Sequence, residues 1–416
     1  MRGETSLSGL GRSYPSVPLG SLLGRIESGW SPSCDSIPPA ADEWGVLKVS
    51  AVSAGRFVES EAKRLPEGLA VRPDLEVRPG DVLLTRANGV RSLVGVACYV
   101  SATRAGLMLS DKTLRVVPKT SMDPAFLAVL LSSQGVRRQI GGLLNGGTGQ
   151  NNISQADVRG LQVPDVPLEE QRRIVAVHAA FERRISALER VLGKLAKAKR
   201  AAFSRALSPY MTSDRVQLQV LLECVQSGWS PACDTFPPAP DEWGVIRVSA
   251  VTSGRFDARE SKRLPSALNP RPELEIRQGD VLVARANGAR SLVGSVCHVD
   301  ATPGKLMLSD KTLRLVPNSA AVEPLFLALL LASERVRAQI GNMLNGGTGQ
   351  NNITQDDIRG LRVPMVSVEE QSQIIADQNL FERRRVDMEE QIAKLRVLQS
   401  GLLEDLLGGR VRVPST

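Results

Sequence analysis

The chain has 416 residues, 42% of them hydrophobic, enough to build the cores of two or three ordinary domains. Its 52 Lys and Arg against 44 Asp and Glu leave a net charge of +8, which favours a polyanionic partner but is too modest to require one. Five cysteines with no CxxC spacing argue against a disulfide framework, no apolar run is long enough to span a membrane, and Met1–Ser13 has no apolar signal segment, so a reduced, cytoplasmic protein with no membrane association is expected.

A Ser- and Pro-rich loop opens the first predicted domain, Trp30 to Asp42. Trp44–Ser50 then alternates as a strand does. Pro79-Gly80-Asp81 predicts a turn feeding a strand over Val82–Thr85, and Leu93–Val100 and Thr113–Val117 predict further strands. Asp123-Pro124 is a favoured helix start, with an acceptor at the cap and proline in the first turn, and the helix is expected to run to about Leu143. These elements make a mixed α+β domain of roughly 140 residues. From Pro167 the apolar period changes to alternating threes and fours: Ile174, Phe181, Ile185, Leu188, Leu192, Leu195 and Ala202 share one stripe. Such a stripe predicts a long helix with a coiled-coil seam, about 35 residues and roughly 50 Å long.

The chain then repeats itself. Ser28-Gly29-Trp30-Ser31-Pro32 returns at Ser227–Pro231, LSDKTLR at Leu109–Arg115 returns at Leu308–Arg314, and LNGGTGQNNI at Leu144–Ile153 returns letter for letter at Leu344–Ile353. Gln278-Gly279-Asp280 and the strand Val281–Ala284 repeat the first turn and strand. Ser367-Val368-Glu369-Glu370 reads as a capping box before a second stripe of Ile374, Phe381, Met388, Ile392, Leu395, Leu402 and Leu406. His178, Lys199, Gln378, Arg385 and Gln399 interrupt the two seams as rim or register positions. The expected organisation is a globular domain over residues 17–165, a long helix over 166–208, a second domain over 216–365 and a second long helix over 366–408. Neither helix can bury its stripe alone, so the two are expected to pair. An antiparallel pairing gives a pseudo-twofold molecule suited to a two-fold target such as duplex DNA.

Side chains suited to nucleic acid recur at matched positions. Arg pairs bidentately with guanine and Asn or Gln with adenine. Arg86, Asn88, Arg91 and Ser92 follow a predicted strand, as do Arg285, Asn287, Arg290 and Ser291. Thr148, Gln150 and Asn151, with Thr348, Gln350 and Asn351, lie in or just after Gly-rich loops suited to a sugar-phosphate backbone. Lys112 with Thr113, and Lys311 with Thr312, suit phosphate contacts. Trp30 and Trp229 are candidates for stacking, whereas Trp44 and Trp243 read as core. The plainer alternatives are that the Asn-Gly pairs only form turns and that Asp111-Lys112 is an ion pair at a strand start. An enzyme is disfavoured: His178 and His298 lie in no metal-ligand or triad spacing and no GxxxxGK[ST] loop exists.

Globular unit, long helix, globular unit, long helix resembles the layout of the specificity subunit of type I restriction–modification enzymes. SGWSPSCDS, DEWGVLKVSAV, GDVLLTRANGVRSLVG and LSDKTLR resemble one kind of target-recognition domain of that family, and NGGTGQNNISQADVRGLQVPDVPLEEQRRIV resembles its junction into the long helix. The resemblance implies an α+β fold: two similar mixed α/β target-recognition domains joined by two long antiparallel coiled-coil helices, pseudo-twofold. It implies that each domain reads half of a bipartite double-stranded DNA target and that the helices set the gap. Two DNA adenine methyltransferase subunits and a motor–nuclease subunit would be the partners. The chain itself would hold no cofactor; S-adenosylmethionine, ATP and Mg²⁺ would belong to those partners. The alternatives are a duplicated scaffold with no DNA role, and the specificity subunit of an orphan adenine methyltransferase. Because the two copies match so closely, nearly equal inverted half-sites are expected, and differences such as Thr85 against Ala284, Val90 against Ala289, and Val58-Glu59-Ser60 against Asp257-Ala258-Arg259 are candidates for relaxing one half.

Overall fold

Val82-Leu83-Leu84 reads as a continuous apolar run because both faces of its strand are covered: Val82 and Leu84 belong to one core, Leu83 to another. A computed structural model describes residues 13–34, 36–144, 151–211, 215–344 and 351–414. In chain order the first domain consists of β1 (Ser16–Pro18), β2 (Leu23–Ser28), β3 (Gly45–Leu47), β4 (Ala62–Arg64), β5 (Val82–Thr85), β6 (Ala87–Asn88), β7 (Ala97–Tyr99), β8 (Leu107–Met108), β9 (Thr113–Pro118), α1 (Pro124–Ser132), α2 (Gln134–Leu143), β10 (Asn151–Asn152), α3 (Gln155–Gly160) and β11 (Gln162–Pro164). The first long helix, α4 (Leu168–Leu207), follows. The same order returns from Arg215 and ends in the second long helix, Val368–Leu407.

The centre of each domain is an antiparallel four-stranded sheet, in the order β2-β9-β5-β7. A three-stranded sheet, β4-β3-β8, lies beside it, and its β3–β8 pairing is parallel. One core packs the four-stranded sheet against α1, α2 and α3 through Leu114, Phe126, Leu130, Ile140 and Val158. The other joins it to the three-stranded sheet through Leu47, Cys98, Leu107 and Met108.

The frame is pinned by a buried arginine at the centre of β9. Arg115, 7% exposed, donates to Glu27 Oε2 at 2.7 Å and to the backbone carbonyls of Asp74, Leu75 and Glu76, and its Nε lies 3.1 Å from the Asp81 carboxylate. Arg314 has a similar role in the second domain, bonding the carbonyls of Glu273 and Glu275 and the Asp280 carboxylate, with Gln226 in place of Glu27.

The chain divides into two compact units, residues 1–189 with 389–416, and residues 190–388. Each unit holds one globular domain and part of both long helices. In the first, Leu403, Leu406 and Leu407 enter the core with Phe126 and Ile174, Gln399 donates to Glu182 at 2.7 Å, and Arg396 pairs with Glu189 at 2.7 Å. Numbers rise along one helix as they fall along the other, so the segments are antiparallel, as expected. In the second unit Phe203 and Leu207 pack with Phe326, Ile374 and Ile375, and Lys199 pairs with Glu382 at 3.2 Å. The polar seam residues are therefore engaged with one another: Gln399 also reaches the His178 carbonyl, and Arg385 bonds Glu382.

Four expectations change. The helix expected over Asp123–Leu143 is two helices, because Ser133 is extended and its hydroxyl caps the Val136 amide. The strand expected over Trp44–Ser50 is only Gly45–Leu47, giving way to a 3-10 turn at Val49–Ala51. The strand expected over Leu93–Val100 shortens to Ala97–Tyr99, since Gly95 turns with φ +72°. The long helices have 40 residues each rather than about 35. Phe203 and Leu207 extend the first into a domain core, where the seam period no longer marks it.

Candidate nucleic-acid interface

Two loops far apart in sequence meet at one end of the four-stranded sheet. β6 pairs with β10 antiparallel, placing Asn88 opposite Asn151 and Ala87 opposite Asn152. The Arg86 amide donates to the Lys112 carbonyl at 2.8 Å, and the Arg86 carbonyl accepts from Ile153 at 3.0 Å. Its guanidinium is half-buried and, among the described residues, donates once, to the Ser28 hydroxyl at 3.3 Å. Ser31 ties the first loop to the same place: its hydroxyl donates to the Asp111 carboxylate and accepts from the Asp111 amide at 3.2 Å. Ser28, Arg86, Lys112 and Asn152 are thus brought onto one surface, with the exposed Lys112 and Asn152 making no side-chain contact among the described residues. Arg285, Lys311 and Asn352 repeat the arrangement through the same backbone bonds, Arg285 N to Lys311 O at 2.8 Å and Ile353 N to Arg285 O at 2.9 Å.

The loop after β6 is held from behind. Arg137 of α2 donates to the carbonyls of Val94 and Ser92, each at 2.6 Å, and Arg337 repeats both bonds. Burial lowers the pKa of both guanidiniums from the ordinary arginine value. At Gly95 an added Cβ would lie 2.7 Å from Ile140, so the left-handed turn and the close approach both require glycine. The shared text RRQIGG and RAQIGN was the available signal for these arginines, but it reads equally as an ordinary amphipathic helix.

Several candidate side chains are engaged in holding the site. Thr113 and Thr312 are not surface residues: both are fully buried, and their hydroxyls donate to the carbonyls of Ser110 and Ser309. The Oδ1 atoms of Asn88 and Asn287 accept from the amides of Val90 and Ala289, while Asn151 and Asn351 donate to Gly89 and Gly288. None of the four offers both ends of its amide, which bidentate adenine readout needs. Arg91 and Arg290 each donate to a helix carbonyl, of Gly141 and Gly341, at 2.7 Å. Ser92 and Ser291 are exposed and present their hydroxyls. Trp30 and Trp229 are half-buried, and each carries an arginine in cation–π contact, Arg72 at 4.4 Å and Arg271 at 4.2 Å from the ring centroids. Asp111 engages Ser31 rather than Lys112, correcting the expected ion pair. Thr148, Gln150, Thr348 and Gln350 lie outside the described residues.

What remains free is chemically coherent. Among the described residues, an arginine with open N–H groups, a lysine and an asparagine amide sit together at the strand end, groups of the kinds that pair with base edges and phosphates. Among the described residues no cluster of three His, Cys, Asp or Glu could hold a metal, and no helix is long and apolar enough to cross a membrane.

Comparison with known proteins agrees with this reading. Residues 243–395 match a family model described as the type I restriction modification DNA specificity domain. The type I restriction enzyme EcoEI specificity subunit of Escherichia coli is 35% identical over 166 residues, 39% of this chain and 28% of that relative's length. The EcoKI specificity subunit of Escherichia coli strain K12 is 24% identical over 353 residues, covering 79% of this chain and 73% of the relative. A solved chain from a study of complex assembly and conformational transition of the type I R-M system superposes with a TM-score of 0.58, at 22% identity, over 97% of this chain and 99% of that one. The second half of the chain is thus similar in sequence to type I restriction–modification specificity subunits, and the architecture matches a solved chain from such a system.

Proposed function

We propose that this chain reads a bipartite double-stranded DNA target for a type I restriction–modification complex, one half-site per globular domain. It positions two DNA adenine methyltransferase subunits, and motor–nuclease subunits join that assembly. Methyl transfer and cleavage, with their S-adenosylmethionine, ATP and Mg²⁺, belong to those partners; this chain contributes recognition and spacing.

One observation carries the reading. The Arg86, Lys112 and Asn152 surface is built twice, on the same backbone hydrogen bonds, with the same residues. A scaffold that joins two protein partners has no need to repeat an arginine with open N–H groups beside a free lysine. Two identical readers on one chain call for two nearly equal half-sites.

The test is to co-express the chain with the methyltransferase encoded beside it and map modified adenines across the host genome. An interrupted motif with matching halves, dependent on this chain, is the expected result. Arg86→Ala should cost about 1–3 kcal/mol at one half-site and relax it alone. Methylation that is absent, or unchanged when this chain is deleted, refutes the proposal.

A further inference from the structure

The two candidate interfaces are closely matched. Across Ser28–Pro32, Arg86–Ser92, Leu109–Thr113 and Asn151–Ile153, the first domain differs from the second only at Val90, where the second has Ala289. Resting on the DNA-reading function above, we infer that Val90 and Ala289 set the base pair at which the two half-sites differ.

Three features isolate this position. Its backbone is the same in both domains: φ −95° and ψ 115° at Val90, φ −89° and ψ 116° at Ala289. It is held by the same bonds. The Val90 amide donates to Asn88 at 2.9 Å and the Ala289 amide to Asn287 at 3.0 Å, and the next arginine anchors the loop to Gly141 or Gly341. The side chain is free: Val90 is 54% exposed at the tip of the loop, in a segment whose neighbours are glycine and arginine, and Ala289 is exposed as well. An exposed valine on a loop so firmly braced does not serve the core.

The divergent positions at 85 and 58–60 fail the same test. Thr85 and Ala284 are both 0% exposed. Glu59 accepts from the Arg104 amide at 3.1 Å, and Asp257 and Arg259 pair with each other at 2.9 Å. Those residues precede the strand that edges the three-stranded sheet, not the sheet that carries Arg86.

Apolar side chains at a base edge recognise the thymine 5-methyl group. Valine carries two methyl groups more than a hydrogen-bearing Cβ would, and alanine carries none beyond Cβ itself. At the usual gain per buried carbon, those two methyls correspond to a preference on the order of ten-fold for T·A over other pairs. The half-site of the first domain therefore prefers T·A at this base pair more strongly than the half-site of the second.

The experiment is selection from duplexes with both halves randomised, using the full chain bound to its methyltransferase. Wild type, Val90→Ala and Ala289→Val are compared. Each substitution installs the residue that the other domain already carries on the same backbone, so folding is preserved. Wild type should select halves that agree at every base pair but one. Val90→Ala should erase the ten-fold preference and make the halves alike; Ala289→Val should create it in the second half. A defined wild-type motif that neither variant alters overturns the inference while leaving DNA reading intact, as does a pair of halves differing at several base pairs. Selection of no defined sequence by wild type overturns both.

Discussion

Replacing Arg115 by methionine tests whether the recognition frame depends on one buried cation. Arg115 has an 8% exposed side chain and is the shared partner of Glu27, Asp81 and three backbone carbonyls of the 74–76 turn. Methionine fills a similar volume but leaves the Asp81 carboxylate, 19% exposed, without its cation and the Glu27 carboxylate, 26% exposed, with Arg25 alone. Removing one partner of a buried pair costs about 3–5 kcal/mol, because the remaining charge stays desolvated. Arg314→Met leaves one carboxylate, Asp280, since Gln226 is neutral. Its loss should be smaller, roughly 2–3 kcal/mol. Urea unfolding of the full chain, with hydrogen exchange to locate the weakened strands, measures both. There is a pH signature too. Burial pushes the Glu27 carboxyl upward, but hydrogen bonds from Arg25 and Arg115 outweigh it and hold the carboxyl below its ordinary value. A carboxyl depressed in the folded state stabilises above its unfolded pKa and loses that contribution as pH falls through the folded one. The gap between wild type and Arg115→Met should therefore narrow as the medium is acidified below about pH 4.5. Equal losses for the two arginines, or a loss under about 1 kcal/mol for Arg115→Met, would refute the reasoning.

Three further outcomes follow from the geometry. An added Cβ at Gly29 would lie 2.1 Å from the Leu109 carbonyl oxygen, so Gly29→Ala must break the Trp30–Leu109 backbone bond; its loss should reach or exceed the roughly 1–3 kcal/mol of ordinary overpacking, read from the melting curve. His178 lies in the helix seam beside Ile174, Phe181 and Leu402; burial lowers its pKa, opposed by Glu182. A histidine depressed in the folded state is protonated more readily when unfolded, so stability should fall as pH drops below about 6.5, and His178→Gln, which copies Gln378, should flatten that slope in melting curves. Lys112→Ala should weaken DNA binding evenly across sequences and reduce the salt slope by about one, whereas a change in the selected bases would mark Lys112 as a reader.

The duplication, the long helices and the strand Val82–Thr85 were all legible in the sequence, because each rests on repetition or on an apolar period. The pairing of the Arg86 loop with Asn151 was not: both segments are polar, and nothing in a list of residues says that Asn88 faces Asn151 across a two-residue ladder. The break at Ser133 was hidden for a similar reason, since serine reads as a tolerable helix residue until its hydroxyl is seen capping the next turn.

The harder limit concerns side chains whose type was right and whose role was not. Asn88, Arg91, Asn151 and Trp30 all belong to residue types that read nucleic acid, and all lie at or beside the site. Each has part of its hydrogen-bonding capacity, or its ring, engaged within the protein, so each also braces the loop beside the site. Readout depends on atoms left unengaged, and a sequence shows residue types without showing that engagement. A constellation this heavily braced has a consequence for specificity. When Asn88, Arg91, Arg137 and Gly95 fix the backbone on either side of position 90, an exchange there changes the surface presented and little else. A duplicated reader built this way can let its two half-sites diverge one base pair at a time, while the frame that both domains share stays under the same constraint.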